Sequence, residues 1–236
     1  MERKNRIIIK LSGAALKEKD SSYIISNEKL IDLSKQIVSL KDKYEIGIVI
    51  GGGNIWRGGS SNNEIYNPAQ ADYMGMLATI INSIALKEAI CKLDSKIDLY
   101  SLLEIPAIAK EYNIDSVNES FRNNKICIFA GGTGRPFCTT DTAASIRAVE
   151  IKANLILVAK DGVDGVYDSD PKVNKNAIRY EKLSLGDAIK MKLKVMDLES
   201  LILCEEYKIN LLVFNMERNN AIVDAIERKI PVTIID

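Results

Sequence analysis

Short apolar runs rich in Ile, Val and Leu alternate along this chain with longer segments in which apolar side chains return every third or fourth residue. The first kind of run suits a buried strand and the second an amphipathic helix, so the alternation predicts β-α-β units and a mostly parallel sheet, an α/β fold. Strands are expected over 6–10, 46–50, 97–101, 126–130, 155–159 and 211–215, with an edge strand over 232–234. Helical period fills 27–43, 69–93, 139–152, 184–191, 197–207 and 219–228. Ser26, Thr139 and Asn219 each carry a side-chain oxygen able to cap the helix that follows. No internal repeat or long linker interrupts the pattern, and 236 residues with 47% hydrophobic content suit one compact domain.

Glycines cluster where those strands end. The first strand runs into Lys10, Leu11, Ser12 and Gly13, and the second into Gly51, Gly52, Gly53 and Asn54. The fourth runs into Gly131, Gly132, Thr133 and Gly134, and the fifth into Asp161, Gly162, Val163, Asp164 and Gly165. In a parallel sheet the carboxyl ends share one edge, where open α/β folds bind ligands. Glycine lets several backbone N–H groups turn toward one anion, and a helix starting beyond the loop adds its own free amides. One such loop is an ordinary tight turn; four on one edge point to a cleft for phosphate. Neither common nucleotide fingerprint is present. Gly51 to Trp56 lacks the Lys and Ser/Thr of a Walker loop, and Gly132 to Phe137 lacks the third glycine of a dinucleotide loop.

Composition narrows the chemistry. The 32 basic and 32 acidic residues cancel, so no global field favours nucleic acid or an anionic membrane. Residues 1–6 are charged and unlike a signal peptide, and no unbroken apolar run reaches a bilayer-spanning length, so a cytoplasmic location without membrane partners is expected. Cys91, Cys127, Cys138 and Cys204 are scattered and read as reduced thiols, mostly filling the core. Histidine is absent, which excludes Ser-His-Asp and Cys-His catalysis and histidine-ligated metals.

What remains is lysine, arginine, carboxylates, hydroxyls and backbone amides. Lys10 ends an apolar strand, where a buried ammonium is costly without an anionic partner. Arg57, just beyond the triple glycine, is placed to fork onto phosphate oxygens. Asp141 falls in the first turn of a predicted helix, where a carboxylate also serves as a cap. The segment from Gly131 to Asp141 combines glycines, a proline and three threonines before that helix, and reads as a second anion site. Two phosphate cradles in one cleft suit a phosphorylated donor and a phosphorylated acceptor. A monophosphate acceptor is largely dianionic at neutral pH, so its oxygen attacks without a general base, consistent with the missing histidine.

At these residues the chain resembles the bacterial uridylate kinases of the amino acid kinase superfamily. The resemblance runs through Lys10 to Gly13, Gly51 to Asn54 with Arg57, Asp72 to Ala78, Thr133 to Asp141, Val163 to Val166, Lys194 to Leu198 and Val213 to Met216. It implies a three-layer αβα sandwich with a mostly parallel central sheet, and transfer of a phosphoryl group from ATP to UMP with Mg2+. The acceptor part would span roughly 1–150 and the ATP part roughly 151–236. By motif position, Lys10, Leu11, Ser12, Gly13, Gly53, Arg57, Asp161, Tyr167 and Asp170 would serve ATP. Gly52, Asp72, Thr133, Gly134, Arg135, Pro136, Phe137, Cys138, Thr139 and Thr140 would hold UMP, with Asp72 taking the ribose hydroxyls. Lys10 and Arg57 would meet the transition-state charge, Lys10 carrying most of it, and Asp141 would orient Lys10. No protein-only metal site is implied. Family members are typically homohexamers inhibited by UTP and tuned by GTP. Ala14 stands where the family commonly has glutamate, Arg135 where asparagine is usual, and Cys138 where phenylalanine is usual. Other acceptors in the superfamily, carboxylates or carbamate, and a non-catalytic regulator or anion store on the same fold, are the alternatives. Met74, Met76 and Leu77, and farther on Leu198, Leu201 and Ile202, are expected to pack inward from their helices, the second group with no role beyond packing.

Overall fold

The computed structural model describes residues 4–18, 22–57, 65–93 and 96–236, so the first three positions of the charged amino-terminal run lie outside it. In chain order the elements are β1 (Asn5–Leu11), a 3-10 turn (Gly13–Leu16), α1 (Asn27–Leu40), β2 (Tyr44–Ile50), α2 (Pro68–Cys91), β3 (Ile97–Ser101), β4 (Lys110–Glu111), α3 (Ile114–Arg122) and β5 (Ile126–Ala130). There follow α4 (Thr140–Glu150), β6 (Leu155–Lys160), β7 (Val166–Tyr167), β8 (Arg179–Tyr180), β9 (Lys182–Leu183), α5 (Leu185–Lys190), α6 (Leu198–Glu206), β10 (Asn210–Asn215), α7 (Ala221–Ile226) and β11 (Val232–Ile235). Each expected strand and helix forms. The two-residue strands and α3 are additional: a two-residue strand has no period to read, and α3 buries only Val117, Ser120 and Phe121.

Among the described residues nine strands make one sheet in the order β4-β3-β5-β2-β1-β6-β10-β11-β9. Its ladders are parallel except β10–β11. β11 is therefore not the edge expected of residues 232–234, because β9 pairs along its outer side. Alternation in β1 sorts the layers. Ile7, Ile9 and Leu11 join Leu33 and Ile37 of α1, Ile80 and Leu86 of α2, and Ile222 of α7. Ile8 points the other way, to Phe121 of α3, Ala144 and Ala148 of α4, Leu185 of α5 and Leu201 of α6. The result is the expected αβα sandwich, and by the same two-residue period Lys10 emerges on the α4 side.

Helix ends follow their caps. The Ser26 hydroxyl accepts from the Lys29 amide, and Thr139 accepts from the amides of Asp141 and Thr142 while the Thr142 hydroxyl accepts from the Thr139 amide. Asn219 does not cap α7. Asn220 occupies that position in a left-handed conformation (φ 58°), and its side-chain amide donates to Asp224 instead. α1 stops at Leu40, short of 43, because Lys41 and Lys43 close hydrogen-bonded turns onto Val38 and Leu40 that redirect the chain into β2.

α2 has 24 residues and contains an 18-residue window of mean hydropathy 1.4, long and apolar enough by composition to cross a bilayer. Here it lies on the sheet, with Met76, Ile80, Leu86 and Ile90 buried. Leu77 departs from expectation: it is 49% exposed and continues an outward row with Tyr73 and Ile81. On α6, Leu201 and Cys204 are the inward residues, whereas Leu198 and Ile202 are half exposed.

Candidate active site

Three loops meet above the carboxyl ends of β1, β2 and β5. The Gly51 amide donates to the Leu11 carbonyl at 2.9 Å. A Cβ added at Gly51 would lie 3.3 Å from the Gly13 nitrogen and 3.4 Å from the Thr140 hydroxyl, so the loop after β1, the loop after β2 and the start of α4 share one point. Lys10 faces that point. Its flanking residues in the sheet are Val49 and Val158, and only 8% of it is exposed. Its ammonium forms an ion pair with Asp141 in the first turn of α4. The Asp141 Oδ1 in that pair is buried and accepts no other bond among the described residues. An ammonium held this way, at a helix amino terminus and under glycine loops, is pre-set to meet negative charge.

Side chains of α2 hold two of those loops. Asn82 is fully buried; its amide donates to the Gly51 carbonyl at 2.7 Å and exchanges hydrogen bonds with Asn54, which in turn donates to the Ile24 carbonyl. One turn earlier the Thr79 hydroxyl accepts from the Gly131 amide at 3.0 Å and donates to the Met76 carbonyl. Replacing Thr79 by Val keeps the shape and leaves the Gly131 amide unpaired in the interior. The expected cost is about 1–3 kcal/mol in urea unfolding, with a larger fractional loss of activity than Ser83→Ala on the next turn gives. Equal activity losses would detach Thr79 from the loop.

The segment after β5 is the expected acceptor loop. Asp72, from the second turn of α2, accepts from the Phe137 amide at 2.8 Å, and Phe137 sits at φ 67° and is 76% exposed. Thr133 accepts from the Arg135 amide and donates to the Arg135 carbonyl, and the Gly134 amide closes onto Gly131. Arg135 and Cys138 are exposed, and Pro136 and Thr140 half-buried. The Thr139 hydroxyl is already engaged: it caps α4 and donates to Asp197. Asp197 also accepts from Thr142 and caps α6 through the Ser200 amide. Burial works to raise the Asp197 carboxyl, but the hydrogen bonds from Ser200, Thr139 and Thr142 hold it below the ordinary carboxylate value. Asp197 therefore clamps the start of α6 to the first turn of α4, a role beyond the packing expected of its segment.

Residues expected to serve ATP line two neighbouring cavities. The Ser12 hydroxyl donates to Asp161 at 2.7 Å, joining the loops after β1 and β6, and Asp161 lines a cavity of about 560 Å3 with Ala14, Lys17 and Lys29. Tyr167 and Asp170 line a second, of about 390 Å3, with Val166, Met191 and Lys194. The Tyr167 hydroxyl donates to Asp164, and Asp170 accepts from the Lys172 amide. Arg57 reaches back to the Gly53 carbonyl, beside the β2 loop. Gly52 packs directly on α2 at Ala78, and Leu11 is wholly buried, leaving its backbone as its contribution.

The model of the amino acid kinase family matches residues 5–215. The chain belongs to the amino acid kinase family. Within it, the uridylate kinase of Ureaplasma parvum serovar 3 is 46% identical over 99% of both chains, and that of Mycoplasmoides gallisepticum 43% identical over 96% of both. Among solved structures, UMP kinase from Ureaplasma parvum superposes with a TM-score of 0.95 at 45% identity, covering 99% of each chain. UMP kinase from Bacillus anthracis superposes with a TM-score of 0.91 at 36% identity, covering 98% of this chain and 96% of that one.

Chemically, this amino acid kinase gathers one ion-paired lysine, an arginine and several loop amides around a common point, with carboxylates but no imidazole among them. That set suits charge neutralisation and alignment of phosphates better than proton abstraction. Two residues that hold the loops were not singled out from the sequence, Thr79 and Asn82 on α2, whose polar character on an apolar helix was the available sign.

Proposed function

We infer that this amino acid kinase transfers the γ-phosphoryl group of ATP to UMP, giving ADP and UDP, a step of pyrimidine nucleotide biosynthesis. The observation that carries the reading is the Lys10–Asp141 ion pair at the point where Gly13, Gly51 and Thr140 converge, in a chain so similar to uridylate kinases over its length. A phosphate oxygen of UMP forms the new bond to the γ-phosphorus as the bond to the β,γ-bridging oxygen breaks and ADP leaves. UMP arrives largely dianionic, so no general base is needed. Lys10 and Arg57 neutralise charge on the transferring group, and Asp141 fixes the Lys10 ammonium.

The same proposal divides the ligands. The 151–236 part supplies Asp161, Tyr167 and Asp170 for ATP, joined by Lys10, Leu11, Ser12, Gly13, Gly53 and Arg57. The 1–150 part holds UMP between Gly52, Asp72 and the 133–140 loop. The Asp72 Oδ2 that accepts from Phe137 leaves the second carboxylate oxygen for a ribose hydroxyl. Mg2+ bound with ATP would need one or two protein carboxylates beside the phosphates. Asp161, whose carboxylate accepts from Ser12, fits that need and would hold it, and the ion would supply charge neutralisation at the phosphates.

A cytoplasmic homohexamer, inhibited by UTP and tuned by GTP, belongs to the same proposal. The outward row of Tyr73, Leu77 and Ile81 on α2 supports self-association, and balanced charge gives no pull toward nucleic acid. Sedimentation of the purified chain tests the assembly; a monomer at micromolar concentration sinks it.

The deciding experiment is ADP formation with each nucleoside monophosphate, with acetylglutamate, aspartate and carbamate, each with and without GTP. UMP is the expected acceptor, and Asp72→Ala is expected to raise the UMP KM by about 10- to 100-fold with the ATP KM unchanged. Turnover with a carboxylate while UMP is inert overturns the acceptor; binding of both nucleotides without turnover by the wild-type chain overturns the enzyme.

A further inference from the structure

β6 ends one residue beyond the apolar run, at Lys160. Lys10 of β1 pairs in register with Val158, and Ile156 and Val158 face the core layer that holds Ile8. Side chains two apart on a strand share a face, so Lys160 projects on the same side as Lys10, one step nearer the carboxyl edge. That side carries Asp141.

Lys160 is half-buried, and its ammonium donates to the Val195 carbonyl. Among the described residues it makes no ion pair, whereas Lys10, beside it, is matched by Asp141. A lysine kept short of counter-charge, next to a second lysine, is costly in a site without a bound anion. It becomes favourable when a polyanion enters.

The place decides which polyanion. Lys160 lines the cavity of about 390 Å3 that also takes in Tyr167, Asp170 and Val195, and its chain neighbour Asp161 reaches Ser12 of the Lys10 loop. It thus stands between the pocket lined by Tyr167 and Asp170 and the Lys10–Asp141 pair. We propose that Lys160 is a second lysine of the transfer site, exchanging the Val195 carbonyl for a phosphate oxygen of the ATP chain when the nucleotide binds. This rests on the donor reading given above.

The rival role is purely structural, with Lys160 pinning Val195. Lys160→Gln separates the two, because the amide still donates to a carbonyl but carries no charge. Calorimetry with ATP, adenosine and UMP, together with steady-state kinetics, is expected to show ATP affinity and kcat/KM for ATP falling about 30-fold. Adenosine and UMP affinities should stay within about twofold, and Lys160→Arg should recover part of the ATP affinity. If Lys160→Gln does not fold, the same comparison is read on Lys160→Met. Adenosine affinity falling in step with ATP, or ATP affinity left intact, overturns the proposal. Failure of the wild-type chain to bind ATP or phosphorylate UMP would instead overturn the reading on which it rests.

Discussion

Lys10→Ala is expected to lower kcat by about 10³-fold or more, roughly 4 kcal/mol of transition-state stabilisation, with UMP affinity within about threefold of wild type. The lysine stands at the convergence of three loops with 8% of its surface exposed, so water cannot replace its charge there. Charge on the transferring group peaks in the transition state, and an ammonium fixed beforehand acts on that peak more than on bound substrate. The variant carries a second cost. Asp141 keeps a carboxylate with a buried oxygen and loses its cation, which should lower stability by about 1–3 kcal/mol after allowing for its partial exposure. Adding Asp141→Asn to Lys10→Ala should restore most of that stability and none of the turnover, a non-additive cycle that separates the folding role of the pair from its chemical role. Turnover and denaturant unfolding of the three variants provide the check. A Lys10→Ala enzyme retaining a tenth of wild-type kcat would take Lys10 out of the chemistry.

The site was legible where chemistry and local pattern coincide. An ammonium closing an apolar strand is expensive, so Lys10 announced a partner before Asp141 was seen beside it. Glycine loops following strands predicted their shared edge, because parallel strands aim their carboxyl ends one way. Lys160 was hidden by proximity to glycine: the run Lys160, Asp161, Gly162 reads as loop, although Ile156, Val158 and Lys160 keep the strand period. α3 was hidden by its shortness, yet Asn113 caps it by accepting from the Asp115 and Ser116 amides, and Val117 and Phe121 are one turn apart. The Asp197 clamp was not legible in any local window, since Thr139 and Thr142 lie 58 and 55 residues away. Strand order belongs to the same class. β1 sits between β2 and β6, and β2 between β1 and β5, pairings set by crossovers and helix packing across the whole chain.

Gly52→Ala should have a large structural effect for a single added methyl group. The new Cβ would fall 2.7 Å from the Ala78 Cβ, 2.8 Å from the Gly75 carbonyl oxygen and 3.1 Å from the Thr79 nitrogen. Two of those atoms are backbone of α2, which cannot step aside without moving the helix whose Thr79 and Asn82 hold the glycine loops. Overpacking against backbone costs about 3 kcal/mol, which for a chain of this length lowers Tm by about 6–12 °C. The displaced loop should also raise the UMP KM by at least about tenfold. Gly53→Ala is the control one residue away, where the added Cβ meets nothing nearer than the Arg57 Nε at 3.8 Å. Its Tm should match wild type while the ATP KM rises, because the methyl group projects toward Arg57, proposed above to serve ATP. Scanning calorimetry and paired KM measurements distinguish the two. A Gly52→Ala protein that melts with wild type would mean that the β2 loop is not seated on α2, and the positioning of both phosphate loops by that helix would fall with it.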